Sequence, residues 1–129
     1  MKIFVIAGGP GTGKTSVINK LSKEFKIILE SAREVGEKDI RFRGKSVKET
    51  NQQDFQNAIF EFDKKQIDKI DKDAGDEIIF ADRGLGDTIA YCKLQNLKVP
   101  FWADNYAKNF RYSGVFVLDL LDNYVKELD

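Results

Sequence analysis

Histidine is absent from the sequence and cysteine occurs once, as Cys92. Without imidazole or clustered thiolate ligands a zinc centre has little to be built from, and one thiol cannot close an internal disulfide. Any metal should be a hard ion held by oxygen, which suits Mg²⁺. Net charge is also missing, with 21 Lys+Arg set against 21 Asp+Glu. That balance argues against a general nucleic-acid or membrane-surface binder, although local patches can still form. No apolar run approaches the roughly 20 residues that cross a bilayer. The N-terminal apolar run is too short for a signal peptide and leads directly into glycines, so a cytoplasmic protein is expected. At 129 residues with 42% hydrophobic content, the chain suits one domain over residues 1–129 with a real core.

What is present is concentrated first in residues 8–15, Gly-Gly-Pro-Gly-Thr-Gly-Lys-Thr, which fit G-x-x-x-x-G-K-[ST]. The run Ile3 to Ala7 supplies a buried strand before it, and Val17, Ile18, Leu21 and Phe25 recur at helical spacing after it. This is the strand, loop and helix context of a phosphate-binding loop. Gly8, Gly11 and Gly13 can take positive φ or allow close approach, so consecutive N–H groups can form an anion nest. The cradle spans Gly8, Gly9, Pro10, Gly11, Thr12, Gly13, Lys14, Thr15 and Ser16. A helix beginning near Lys14 adds its N-terminal partial charge. Lys14 would reach the β/γ-phosphates and the Thr15 hydroxyl would ligate Mg²⁺.

Further along, Lys26 to Leu29 read as a second buried strand ending at Glu30, where a parallel sheet presents its chemistry. Glu30-Ser-Ala-Arg33-Glu34 is therefore either part of a site or an ordinary charged helix start. Residues 35–52 lose periodicity and read as a mobile loop. Within it Arg41, Arg43, Lys45 and Lys48 form a basic run without an acid. That run is either solvated or a receiver of an anionic group such as a nucleic-acid end or a phosphoinositide head group. From about Asn51 a long helix carries Phe55, Ala58, Ile59, Phe62, Ile70 and Ala74 on one face, with Thr50 and Gln53 as a capping box. Asp63, Lys64, Lys65, Asp68 and the charges that follow read as its solvent face.

The run Glu77 to Asp82 is a third strand closed by an acid that can order Mg²⁺ or its waters. Arg83 follows, and Asp87 offers a helix cap. Pro100 opens a helix whose Trp102, Tyr106 and Phe110 form an aromatic stripe, read as core. Gly114 to Asp119 read as a fourth buried strand, and Leu120 to Asp129 as a turn or helix.

With the loop, Glu30-Ser-Ala-Arg33-Glu34 and Phe80-Ala-Asp82-Arg83-Gly84-Leu-Gly-Asp87-Thr-Ile-Ala-Tyr91, the chain resembles the AAA-type ATP-binding P-loop family that includes nicotinamide-riboside-kinase-like and other small-molecule kinases. The resemblance implies a three-layer α/β fold with a parallel sheet in order 2-3-1-4, usually followed by a fifth strand. It also implies transfer of the ATP γ-phosphoryl group to a hydroxyl of a nucleoside- or riboside-like molecule. Glu30 would orient or deprotonate that hydroxyl, Asp82 would organise Mg²⁺, and Arg33 or Arg83 would neutralise phosphoryl oxygens. Which of Glu30 and Asp82 acts as base is open. Relatives continue into an arginine-bearing lid and a further strand, whereas this chain has no arginine after Arg111. Either the chain is a fragment or it lacks the lid and fifth strand, and without the lid phosphate binding is expected to survive better than turnover. A regulatory nucleotide-binding module or an NTP hydrolase is the alternative, and a homodimer covering an open sheet edge is a further expectation.

Overall fold

The apolar runs on either side of the glycine loop and the long helix lie side by side in one sheet. The structure, a computed structural model, describes residues 2–73 and 75–121, the side chains of 71–73 excepted. In chain order its elements are β1 (Lys2–Ala7), α1 (Lys14–Leu21), β2 (Lys26–Ile28), α2 (Ser31–Lys38), α3 (Gln52–Asp73), β3 (Ile78–Asp82), α4 (Leu85–Leu94), α5 (Phe101–Asn109) and β4 (Gly114–Val117). The sheet order is β2-β3-β1-β4 and every pairing is parallel. This is the α/β P-loop fold and strand order that the family resemblance implies. Parallel neighbours need long crossovers, and α3 spans the return from the β2 side to β3.

Register sets what each face of the sheet carries. Ile3 pairs with Ile79 and Val5 with Ala81, and these four join Ile28 and Ile70 in one core cluster, with Phe110 and Tyr112 packed against it. Phe4, Phe80 and Phe116 are ring neighbours, and Phe25 meets Phe80 edge-on at 5.1 Å. Phe25 thus packs beyond the end of α1 rather than on it. A second cluster joins Phe60 and Ile67 of α3 to Leu85 and Cys92 of α4 and Ala103 of α5. Tyr106 and Phe110 stack within this aromatic layer, as the stripe predicts, whereas Trp102 stays exposed.

Several expectations change. The outer strands are not buried runs: only Ile28 of β2 is buried, and Val115, Phe116 and Val117 of β4 are exposed. Each has a single hydrogen-bonded neighbour among the described strands, so half of its surroundings are not sheet. The expected loop begins later, because α2 continues through Lys38. Thr50 and Gln53 do not form a capping box. Asn51 Oδ1 accepts the Asp54 N–H at 3.0 Å, while the Gln53 amide exchanges two hydrogen bonds with the Lys98 backbone. Local capping loses to a tertiary clamp. Asp87 is not the cap of α4 but its third residue, accepting the Gly84 N–H at 2.8 Å. Ala74 and the residues from 122 onward lie outside the described residues. Among the described residues no helix is long and apolar enough to cross a membrane.

Candidate functional site

The phosphate loop is shaped by two left-handed glycines and one crowded one. Gly11 and Gly13 have φ of 80° and 78°, a region that L side chains avoid. Gly8, expected in the same class, does not have positive φ; its lack of a side chain matters for space. A Cβ there would stand 2.7 Å from Thr12 Oγ1, which donates to Gly9 O at 2.8 Å and so closes the loop on itself. Behind the loop, Leu118 N donates to Ala7 O and Leu121 N to Gly11 O, both at 2.9 Å. Gly13 leads into α1 without a side-chain cap, so no side chain occupies the helix's first N–H groups, which are the kind of donors that hold phosphate. Thr15 and Ser16 sit exposed there.

The sheet's parallel register brings the acids to this mouth. Ile6 pairs with Asp82 two residues before the loop begins at Gly8. Lys14 Nζ contacts Asp82 Oδ1 and lies 3.6 Å from Glu30 Oε2, and Glu30 Oε1 lies 3.5 Å from Arg83 Nη1. Two cations and two anions thus alternate along the carboxyl ends of β1, β2 and β3. Arg83 holds φ 65°, an uncommon conformation for a bulky residue. Its N–H donates to Ile6 O at 3.0 Å, and the start of α4 fixes the other side. There Leu85 N donates to Tyr112 Oη at 3.0 Å, and a Cβ on Gly84 would meet Tyr112 Oη at 2.9 Å. Burial pushes the Tyr112 phenol above its ordinary range, with the Leu85 N–H opposing the shift.

A cavity of about 390 Å³ opens beside this array, within the size range of small-molecule pockets. Glu30, Asp82 and Arg83 form one end; Phe42, Phe55 and Ile59 supply apolar wall. Of the basic run only Lys45 lines the cavity; Arg41 is paired with Asp39 at 2.9 Å, and Arg43 and Lys48 lie exposed outside the cavity wall. Phe42 is buried and meets Phe55 edge-on at 5.1 Å, anchoring this segment on α3. Arg33 lies exposed on α2, outside the cavity wall, and Glu34 pairs with Lys38 at 2.5 Å.

Asp63 is the residue that the sequence reading misplaces. It is not on the solvent face of α3 but 7% exposed in the cavity wall. Ser31 Oγ donates to its Oδ1, while Oδ2 is buried without a hydrogen-bond partner among the described residues. Desolvation raises its pKa to about 6, against the Ser31 hydrogen bond and with help from Asp87. The signal was present in the periodicity: Ile59, Asp63, Ile67 and Ile70 are all buried and follow one helical stripe.

A family model described as an AAA domain matches residues 3–128. The chain belongs to the AAA domain family. Its fold is shared with a solved deoxyadenosine kinase from M. mycoides, described with products dCMP and a flexible dCDP bound, at 19% identity and a TM-score of 0.57. The match covers 89% of this AAA domain and 62% of that chain, so this chain spans less than two thirds of the kinase's length. No curated protein matches it. Among the described residues of this AAA domain no three His, Cys, Asp or Glu side chains group as a metal site. Of the oxygen donors at the loop mouth, which include Glu30, the sequence singles out Thr15 and Asp82 for the ion. That donor set is too small to enclose a cation by itself but fits Mg²⁺ carried largely by phosphates.

Proposed function

We propose that this AAA domain binds ATP with Mg²⁺ and transfers the γ-phosphoryl group to a hydroxyl of a small nucleoside- or riboside-like molecule. The observation that carries the reading is the continuity of loop and cavity: Lys14 of the phosphate loop contacts Asp82 and Glu30, and both acids also line the 390 Å³ cavity. A loop that served only hydrolysis or switching has no need of an organic-sized cavity ending on its catalytic acids. A nucleoside acceptor is in keeping with the fold neighbour, a deoxyadenosine kinase.

In this reading the nest from Gly8 to Gly13 holds the β-phosphate and Lys14 exchanges its carboxylate contacts for phosphate oxygens. An acceptor in the cavity places its hydroxyl beside Glu30. The hydroxyl oxygen bonds to the γ-phosphorus as the bond to the β,γ-bridging oxygen breaks and ADP leaves. Glu30 takes the hydroxyl proton, and Arg83 stabilises charge on the transferred oxygens. Thr15 and Asp82 would hold Mg²⁺, which neutralises charge on the phosphates. Such a transition state needs positioning and charge more than covalent help.

The test is Mg-ATP turnover with a panel of nucleosides, ribosides and sugars, with Lys14→Ala as control. Acceptor-dependent ADP release with a phosphorylated product supports the reading. Release that is indifferent to every acceptor means a hydrolase, and nucleotide binding without release means a regulatory module.

A further inference from the structure

A buried acid among isoleucines is a poor way to stabilise a helix. Asp63 occupies the stripe of Ile59, Ile67 and Ile70 and is 7% exposed. Burying a carboxylate is costly unless each oxygen is hydrogen-bonded. Ser31 serves Oδ1, yet Oδ2 has no partner among the described groups, and Asp63 stands in the cavity wall. An unpaired buried acceptor at the edge of a ligand-sized cavity is completed by a donor that arrives with the ligand.

We propose that Asp63 Oδ2 is a specificity-determining acceptor that receives a hydroxyl or amino hydrogen of the bound acceptor molecule, at a point separate from the hydroxyl that reacts. This rests on the cavity being the acceptor site. Its position follows from chain connectivity: Ser31, which holds Oδ1, is the residue after Glu30. The second recognition point therefore lies next to the reacting end of the cavity, supplied by α3 while Glu30 is supplied from the end of β2. A site built around an unpaired acceptor discriminates strongly against a ligand lacking the donor, because that ligand leaves the carboxylate buried and unpaired.

The surrounding charges define what pH does. Glu30, Asp82 and Arg83 stand at one end of the cavity, Lys45 enters from the loop before α3, and Asp87 faces from α4. Asp63 titrates near pH 6, pushed up by burial. The ionised form is the stronger acceptor and has no proton on Oδ2 to block the ligand's, so affinity for a donor-bearing ligand should rise between about pH 5 and about pH 7.5 and level off above.

The experiment is calorimetric binding without ATP, on wild type, Asp63→Asn and Asp63→Leu. Probes are pairs that differ by one donor group: adenosine against 2′-deoxyadenosine, adenosine against purine riboside, cytidine against 2′-deoxycytidine. Wild type should prefer the donor-bearing member of at least one pair by tenfold or more, with affinity rising with pH. Both variants should reduce that preference to under threefold and flatten the pH profile. Unchanged preference in both variants overturns the proposal, as does wild type that binds no member of the panel. Because binding is read apart from turnover, the two readings fail separately. Asp63-dependent binding without phosphoryl transfer removes the kinase reading alone; transfer with indifferent Asp63 variants removes this inference alone.

Discussion

Glu30 Oε2 lies 3.6 Å from Lys14 Nζ, joining the end of β2 to the phosphate loop across the intervening β3. The same ammonium contacts Asp82, and the other Glu30 oxygen faces Arg83 at 3.5 Å. Lys14 is therefore charge-compensated by two carboxylates, and phosphate must compete with them for it. The array sits ready for an anion without a bare cation in a half-buried place.

Lys14→Ala should remove the charge-assisted contacts to phosphate and leave Glu30 and Asp82 facing each other with no cation between them. Triphosphate affinity should fall by about a hundredfold, equivalent to about 2.7 kcal/mol. Calorimetry with ATP and Mg²⁺ checks this, and affinity within threefold of wild type would contradict it.

Glu30→Gln keeps the side chain's size but not its capacity to take a proton. If Glu30 is the base, turnover with a phosphorylatable acceptor should fall by roughly 10²–10⁴-fold, the usual share of general base catalysis. ATP affinity should change by less than about threefold, because in the proposed site the phosphates are held by the loop and Lys14 while Glu30 meets the acceptor hydroxyl. Turnover that survives Glu30→Gln and collapses in Asp82→Asn would hand the role to Asp82.

Two adjacent glycines should behave differently. A Cβ at Gly8 would stand 2.7 Å from Thr12 Oγ1 and 3.3 Å from Leu118 Cβ, whereas a Cβ at Gly9 meets nothing within 4 Å. Gly8→Ala must push Thr12 off its bond to Gly9 O and should cost about 1–3 kcal/mol, in the range of overpacking. Gly9→Ala should stay within about 0.5 kcal/mol of wild type. Paired urea denaturation midpoints decide it.

The difference between these neighbours was not legible in the sequence, and the reason is general to this chain. Features carried by local chemistry could be read: the phosphate loop at residues 8–15, the strand end at Asp82, the strand order implied by family resemblance. Features set by a partner far along the chain could not. Gln53 matches a capping box, but Lys98 is 45 positions away and claims both ends of its amide. Arg33 and Arg83 read alike as phosphoryl neutralisers, yet only Arg83 lies on a strand end whose register reaches the loop. Asp63 is the instructive case, because helical periodicity does place it among the buried isoleucines. Its charge made the exposed face the easier assignment.

Arg83 combines a strained backbone with a useful side chain. At φ 65° an L-residue is disfavoured by roughly 1–2 kcal/mol, which glycine avoids at the expense of chain entropy. Arg83→Gly should therefore leave stability within about 1 kcal/mol of wild type, while removing the guanidinium from Glu30. Phosphoryl transfer should drop at least tenfold. A thermal melt beside a turnover assay separates these; a large loss of stability would mean that Arg83 is held for packing instead.

Asp63 gives the pH dependence of folding. Its carboxyl titrates near pH 6 in the folded chain against an ordinary value of 3.8, raised mainly by desolvation. The folded state thus binds the proton more tightly than the unfolded one, and stability falls as pH rises between those values. The destabilisation is absent well below pH 3.8 and nearly complete above about pH 7. Asp63→Asn removes the titration. The stability of Asp63→Asn relative to wild type should then increase by about 2 kcal/mol between pH 4 and pH 7.5, since each pH step between the two titration points contributes about 1.4 kcal/mol before local relaxation reduces the sum. Urea unfolding of both proteins across that range measures it, and a difference independent of pH would mean that Asp63 ionises as freely as an exposed acid. Should the variant be the more stable protein at pH 7.5 and also the poorer binder of acceptor, Asp63 is kept at the expense of the fold and for the sake of the ligand.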